Sequence, residues 1–406
     1  MGNIDLRKQN KRNLILDLIR TRPRSSRASL RHDSGLAMKT VLQCVEGLLE
    51  ENLILETGKS NPTVGRKATW LAINPDGCYW IGIKFKVQTL TCATVDFAGN
   101  VCDLHQESIP ADADAQEVLL RVCECAKNTA NKVRAQGKRL EGIGIGVPGM
   151  VNTEKGIGVL FVQIPGWENL PIKQAIEEAA QCPVYVEQSI RATALSCLRK
   201  KENLSANNLL YVLVRRGVGA AVLIDREPLN GHTNVAGEIG HMFIKENGAR
   251  CSCGKYGCLE SEICHSAISR RIQERMALGE FKWLTPEKAD TAALTAAVEA
   301  GKPEAVALWN DAMRQLCYAL APVVAALNPQ KIIFSGEIFA PARFIHTAMG
   351  HFQKLCPVGA CNDLSLAVHP HDEYNDAVGA ACLSMYQTYG VWGASKIAAL
   401  REEMQL

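Results

Sequence analysis

At 406 residues the chain is too long for one ordinary core, and two to four domains are expected. A hydrophobic share of 47% and a charged share of 21% are those of a soluble globular protein; with no apolar run of about 18 residues and a polar, charged stretch from Met1 to Arg12, they exclude a membrane-spanning helix and a secretory signal, so a cytoplasmic protein with no membrane partner is expected. The net charge of +3 is unevenly spread: residues 1–80 hold 13 Lys/Arg against 8 Asp/Glu, a surplus of +5 that leaves −2 for the rest, the electrostatic outline of a nucleic-acid-binding module on a near-neutral body.

The first element is a helix in which Leu14, Ile15, Leu18 and Ile19 recur at helical spacing, stopped at Thr21-Arg22-Pro23. Ser26 is placed to cap a short second helix with Ala28 and Leu30 facing inward, and Gly35 in Ser34-Gly35-Leu36 can take the positive φ that breaks it. A longer third helix is expected from about Ala37 to Glu51, burying Val41, Val45, Leu48 and Leu49. Two helices joined by a glycine-containing turn, the second the longer, follow the helix-turn-helix plan. Two strands come next, Leu53 to Glu56 and Thr69 to Ile73, joined by a polar loop whose Gly65-Arg66-Lys67 sets two cations beside a flexible glycine, as in a wing reaching for a minor groove. The plainer alternative is a small helical bundle with an ordinary hairpin. On the winged reading, residues 1–76 form the DNA-binding domain. Met38, Lys39, Thr40 and Gln43 at the start of the third helix face the major groove of a double-stranded operator, with Arg66 and Lys67 in the wing; Gln43 is suited to adenine and Lys39 to guanine or a phosphate.

Beyond residue 77 strands alternate with helices. Tyr79 to Asp96 reads as a hairpin of two apolar strands, Glu117 to Arg134 as a helix, and Gly142 to Pro148 as a buried strand ending in a Pro-Gly turn. Further strands are expected at Val184 to Glu187, Leu209 to Val214 and Lys331 to Phe334, with long amphipathic helices such as Glu304 to Leu327 between them. The fold class is therefore α/β with two lobes, 77–190 and 191–406, the C-terminal end being free to return to the first lobe. Of the sixteen cysteines, Cys44, Cys92, Cys197, Cys317 and Cys382 stand at apolar positions where a reduced thiol packs as a small hydrophobe. Cys123 and Cys125, two apart on a helix, do not face each other. Only Cys251, Cys253 and Cys258 cluster among glycines.

Five segments carry a specific resemblance: Gly146-Val147-Pro148-Gly149, Ala236-Gly237-Glu238-Ile239-Gly240-His241, Cys251-Ser252-Cys253-Gly254-Lys255-Tyr256-Gly257-Cys258-Leu259-Glu260, Leu327-Asn328-Pro329-Gln330-Lys331-Ile332-Ile333, and Val378-Gly379-Ala380-Ala381. Over roughly residues 78–390 the chain resembles the ROK family of repressors and sugar kinases, and the winged helix in front resembles its repressor branch. The resemblance implies a two-lobed, actin-like, ribonuclease H-like body, a homodimer or homotetramer, and a monosaccharide or sugar-derivative effector. His241, Cys251, Cys253 and Cys258 offer one imidazole and three thiolates, a closed tetrahedral set for structural zinc. Glu238, His241 and Glu260 match the positions by which the family holds sugar. The catalytic side departs from the kinase pattern. Where the kinases carry Glu-Asn-Asp, this chain reads Glu187-Gln188-Ser189, and a serine hydroxyl is far too weak an acid to act as the base. The first phosphate loop is altered at Lys84, Lys86, Val87 and Gln88, and the second at Arg215 and Arg216, so no enzyme activity is expected. A family sugar kinase, and a regulator with a vestigial sugar site that a partner protein lifts from DNA, are the rival readings. Arg191 and Arg215 are expected to be surface charges, with an anion-binding role as the alternative.

Overall fold

A computed structural model describes residues 3–22, 24–59, 68–198, 201–203, 206–369 and 373–389. The chain divides into two units, residues 1–207 with 373–406, and residues 208–372.

The first unit opens with three helices, Asn3–Thr21, Arg27–Ser34 and Met38–Glu50, followed by an antiparallel pair, Ile54–Lys59 and Thr69–Ile73, in which Ile54 faces Ile73 and Glu56 faces Leu71. This element order is consistent with a winged helix-turn-helix. Local sequence sets each boundary. Ser26 caps the second helix reciprocally with Ser29, and Gly35 ends it at φ 72°. Leu14, Ile15, Leu18 and Ile19 are buried as their spacing requires. Ala28, expected inside, is exposed, and Ser34 takes the inward place. The reason is geometric: residues four apart share a helix face, and Ala28 lies only two from the buried Leu30. Leu49, also expected in the core, is half-buried.

A five-stranded sheet follows, ordered Val184–Gln188, Leu140–Val147, Tyr79–Lys86, Thr89–Asp96, Val101–Ser108. The first three strands run parallel and the last two are added antiparallel. The helix Ala115–Ala135 packs on this sheet, and so does the helix Glu373–Tyr389, which returns from the far end of the chain. The approach of the latter explains two glycines. A Cβ on Gly82 would stand 1.8 Å from the Ala377 carbonyl oxygen, and one on Gly144 1.6 Å from that of Ala380. Because Glu373–Tyr389 also lies against the helix Ser189–Cys197, the latter stays with the first unit, and the break falls after residue 207 rather than at the expected 190. Arg20 of the first helix reaches this body: it donates to the Phe97 carbonyl at 3.0 Å and its guanidinium lies 5.0 Å from the centre of the Phe97 ring.

The second unit repeats the same strand order, with Glu227–Pro228, Val218–Ile224, Leu209–Val214, Lys331–Ser335 and Ser365–Val368 side by side. Leu209–Val214, Lys331–Ser335 and Ser365–Val368 are parallel and Val218–Ile224 is antiparallel to the first of them. Two sheets of one topology within a single chain are the actin-like, ribonuclease H-like plan. The core of this unit gathers Trp309, Phe334, Phe339 and Phe344, with the Trp309 indole N–H donating to the Ile338 carbonyl at 2.8 Å.

Candidate functional site

On the helix Met38–Glu50, Val41, Val45 and Leu48 point inward at spacings of four and three, which leaves Met38, Lys39 and Gln43 exposed and Thr40 half-buried. Lys39 and Gln43, four apart, present one face at the helix start. Arg66 and Lys67 lie outside the described residues.

The second unit gathers the cysteine-rich segment. His241 ends the short turn Ile239–His241, and the chain from Ala249 to Cys258 folds back on itself, with the Cys251 N–H donating to the Lys255 carbonyl at 2.8 Å and that of Gly254 to the Cys251 carbonyl at 3.0 Å. Gly254 and Gly257 both take positive φ, 88° and 72°, in this bend. One ligand atom each of His241, Cys251, Cys253 and Cys258 lies within 4.8 Å of all the others. Cys253 Sγ is 3.7 Å from Cys258 Sγ, and Cys251 Sγ is 3.6 Å from His241 Nδ1. Around an ion with metal–sulfur bonds of about 2.3 Å and metal–nitrogen bonds of about 2.1 Å, tetrahedral edges measure roughly 3.6–3.8 Å. The cluster therefore fits a tetrahedral metal ion with soft ligands. Burial and the neighbouring Cys253 and Cys251 thiols push the Cys258 thiol up to about 12, so an arriving ion must displace its proton.

The carboxylates flank this cluster. Glu238 Oε2 is 3.9 Å from His241 Nε2, the ring nitrogen turned away from the sulfurs. Glu260, two residues past Cys258, accepts from the Val218 N–H at 3.0 Å on one oxygen and from the Ser252 hydroxyl at 2.9 Å on the other. Glu238, His241 and Glu260 are thus brought together by the cysteine fold. Glu238 is the more open of the two acids, at 41% side-chain exposure. Arg215 and Arg216 lie beside Gly217 in the turn before Val218–Ile224, and the Arg215 N–H closes that turn on the Gly217 carbonyl at 2.9 Å.

In the first unit Lys84, Glu187 and Arg191 belong to internal polar pairs. Lys84 forms an ion pair with Asp376, which is 2% exposed. The Thr193 hydroxyl donates to the other Asp376 oxygen at 2.6 Å. Lys86, Val87 and Gln88 form the tight end of the first hairpin. Glu187 accepts from Arg191 Nε at 2.7 Å and from the Gln188 N–H at 2.7 Å. Arg191 has no exposed surface, so the expectation of a surface charge is corrected: its position on the helix Ser189–Cys197, four residues from Glu187, turns it into the core as that carboxylate's partner. Ser189 opens the same helix with its hydroxyl buried. Asp376 and Thr193, the partners in this network, are residues that reading the sequence missed: an aspartate two residues before Val378 and a threonine among small residues carry no local signal of a partner far away in the chain.

The family model described as "ROK family" matches residues 80–386. The xylose repressor of Caldicellulosiruptor bescii is 28% identical over 350 residues, covering 84% of this chain and 87% of that protein. The DNA-binding transcriptional dual regulator NagC of Escherichia coli is 26% identical over 339 residues, 83% of each chain. Among solved structures, a ROK family transcriptional regulator homologous to the E. coli MLC protein superposes with a TM-score of 0.80 at 27% identity, covering 97% of this chain and 99% of its own.

Proposed function

The chain belongs to the ROK family, and from that premise we propose that it is a sugar-responsive transcription repressor of carbohydrate-utilisation genes, not an enzyme. The observation that supports this reading is a segment of three helices and a strand pair in front of a body of two like sheets, in which Lys84 is tied up in an ion pair with Asp376. The relatives named as repressors cover most of both chains, in keeping with it. Residues 1–76 serve as the operator-reading domain, with Met38, Lys39, Thr40 and Gln43 in the major groove and Arg66 and Lys67 in the wing. Zinc, held by His241, Cys251, Cys253 and Cys258, fixes the two glutamates, and Glu238, His241 and Glu260 bind the hydroxyls of a monosaccharide or sugar derivative. The protein works as a homodimer or homotetramer, matching paired half-sites, and effector binding shifts the population of DNA-competent arrangements.

The test pairs one variant from each site. Glu238→Ala removes a hydroxyl acceptor and should weaken effector binding by about 1–3 kcal/mol while leaving DNA affinity unchanged. Gln43→Ala should weaken operator binding by about 1–3 kcal/mol and leave effector affinity unchanged. Thermal-shift screening of the zinc-loaded protein against monosaccharides and sugar phosphates identifies the effector, and fluorescence anisotropy on DNA from upstream of its own gene reads both variants. A Glu238→Ala protein induced like its parent, or a Gln43→Ala protein with undiminished DNA affinity, would sink the respective assignment.

Restoring the missing carboxylate with Ser189→Asp should still give no sugar-dependent ATP consumption in a coupled assay. Phosphoryl transfer depends mainly on positioning, and Lys84, Arg215 and Arg216 keep both phosphate loops altered. Turnover by the parent protein would overturn the regulatory reading.

A further inference from the structure

A second cysteine and histidine cluster lies in the first unit. The register of the antiparallel strands Thr89–Asp96 and Val101–Ser108 sets Cys92 directly opposite His105. Opposed residues in such a pair point to the same face with Cβ atoms about 4.5–5.5 Å apart. The helix Ala115–Ala135 crosses that face and contributes Cys125, which is 2% exposed. Cys125 Sγ lies 3.6 Å from His105 Nε2, and the three ligand atoms of Cys92, His105 and Cys125 all fall within 4.8 Å of one another.

We propose that Cys92, His105 and Cys125 form a second soft-metal site, three protein ligands for zinc or a like d10 ion, with the fourth position left to water or a small anion. The sulfur–nitrogen edge of 3.6 Å already matches that of a tetrahedral zinc bound by thiolate and imidazole, about 3.6 Å. Glu107 is on the same face of the strand, two residues from His105, and its Oε1 stands 3.7 Å from the same Nε2. Asp103, two residues the other way, has Oδ2 3.9 Å from Nδ1 and is itself held by Lys132 Nζ at 2.8 Å. A carboxylate behind the non-ligating nitrogen is the usual support of a metal-bound imidazole. The Thr129 hydroxyl is 3.5 Å from Cys92 Sγ, close enough to donate to a thiolate. A disulfide between Cys92 and Cys125 would leave the imidazole and its two carboxylates without a part. The ion would fasten the edge strand Val101–Ser108, exposed along most of its length, to the helix above it.

The test uses the full-length chain in a non-coordinating reductant, stripped with chelator and titrated with zinc against a chromophoric competitor. The expected stoichiometry is about two ions per chain, falling to one in Cys125→Ser, to one in Cys253→Ser and to none when both are combined. His105→Asn changes a ring that is 36% exposed and so spares the core; it should weaken the second ion by at least 10-fold while the far-ultraviolet dichroism stays that of the parent. Cobalt loaded into Cys253→Ser should show thiolate charge-transfer bands that vanish on adding Cys125→Ser. A single ion in the parent, a His105→Asn protein that titrates like the parent, or a Cys92–Cys125 disulfide in a non-reducing peptide map would each overturn the proposal.

Discussion

Cys258→Ser should cost the protein one bound zinc per chain and, with it, the response to effector. Cys258 is 1% exposed and its Sγ lies 3.7 Å from Cys253 Sγ, so its loss removes one of the four ligands. Structural zinc supplies roughly 10–16 kcal/mol in small zinc folds, and loss of a ligand should lower affinity by more than about 100-fold, since loss of a mere supporting contact costs 10- to 100-fold. The consequence for effector follows from the chain path. Glu238 sits three residues before His241, and Glu260 two residues after Cys258. An ion held by the four ligands would therefore fix both carboxylates, and Ser252, which bonds Glu260 at 2.9 Å, lies between two of the cysteines. Without the ion, the segments lose their common anchor. Operator binding should survive, because the helix Met38–Glu50 belongs to the other unit. The checks are elemental analysis after gel filtration and a thermal-shift titration with effector; a Cys258→Ser protein that keeps its metal and its response would refute the coupling. Lowering the pH should release the ion, as protons compete for the thiolates.

How far the sequence disclosed this molecule depended on how local each signal was. The first cluster was legible because its three cysteines lie within eight residues, its histidine ten residues upstream, and both segments carry the family resemblance. Helix faces were legible where long runs kept their period, as in Val41, Val45 and Leu48. The eight-residue helix Arg27–Ser34 offered too little period to separate Ala28 from Ser34. The strand Val101–Ser108 went unread because most of its residues are exposed on both faces and carry no alternation. Without that strand, His105 had no partner and Cys92 looked like a packed thiol. The cluster with Cys125 depends on strand register and helix placement, neither of which spacing encodes. Arg191 was misread for a related reason: an arginine four residues from a glutamate resembles a solvated helix pair until the tertiary fold buries both.

The Lys84–Asp376 pair was the least legible feature, its members being 292 residues apart, and it leads to the second large expected effect. Lys84→Ala should destabilise the protein by about 3–5 kcal/mol, because it removes the cation paired with a carboxylate that is 2% exposed. Asp376→Ala should cost a similar amount by stranding the ammonium. Replacing both, as Lys84→Met with Asp376→Leu, should recover most of the loss, since a buried ion pair exchanged for apolar side chains of similar volume is often neutral. The double-mutant cycle in urea gives the coupling directly. Asp376 lies on the helix that packs directly on the Gly82 and Gly144 strands, so the pair fastens the first hairpin to that helix. If Lys84→Ala melts with its parent, the pair adds nothing measurable to stability. If it melts early, as expected, the pair is a structural clasp between the strand Tyr79–Lys86 and the helix Glu373–Tyr389.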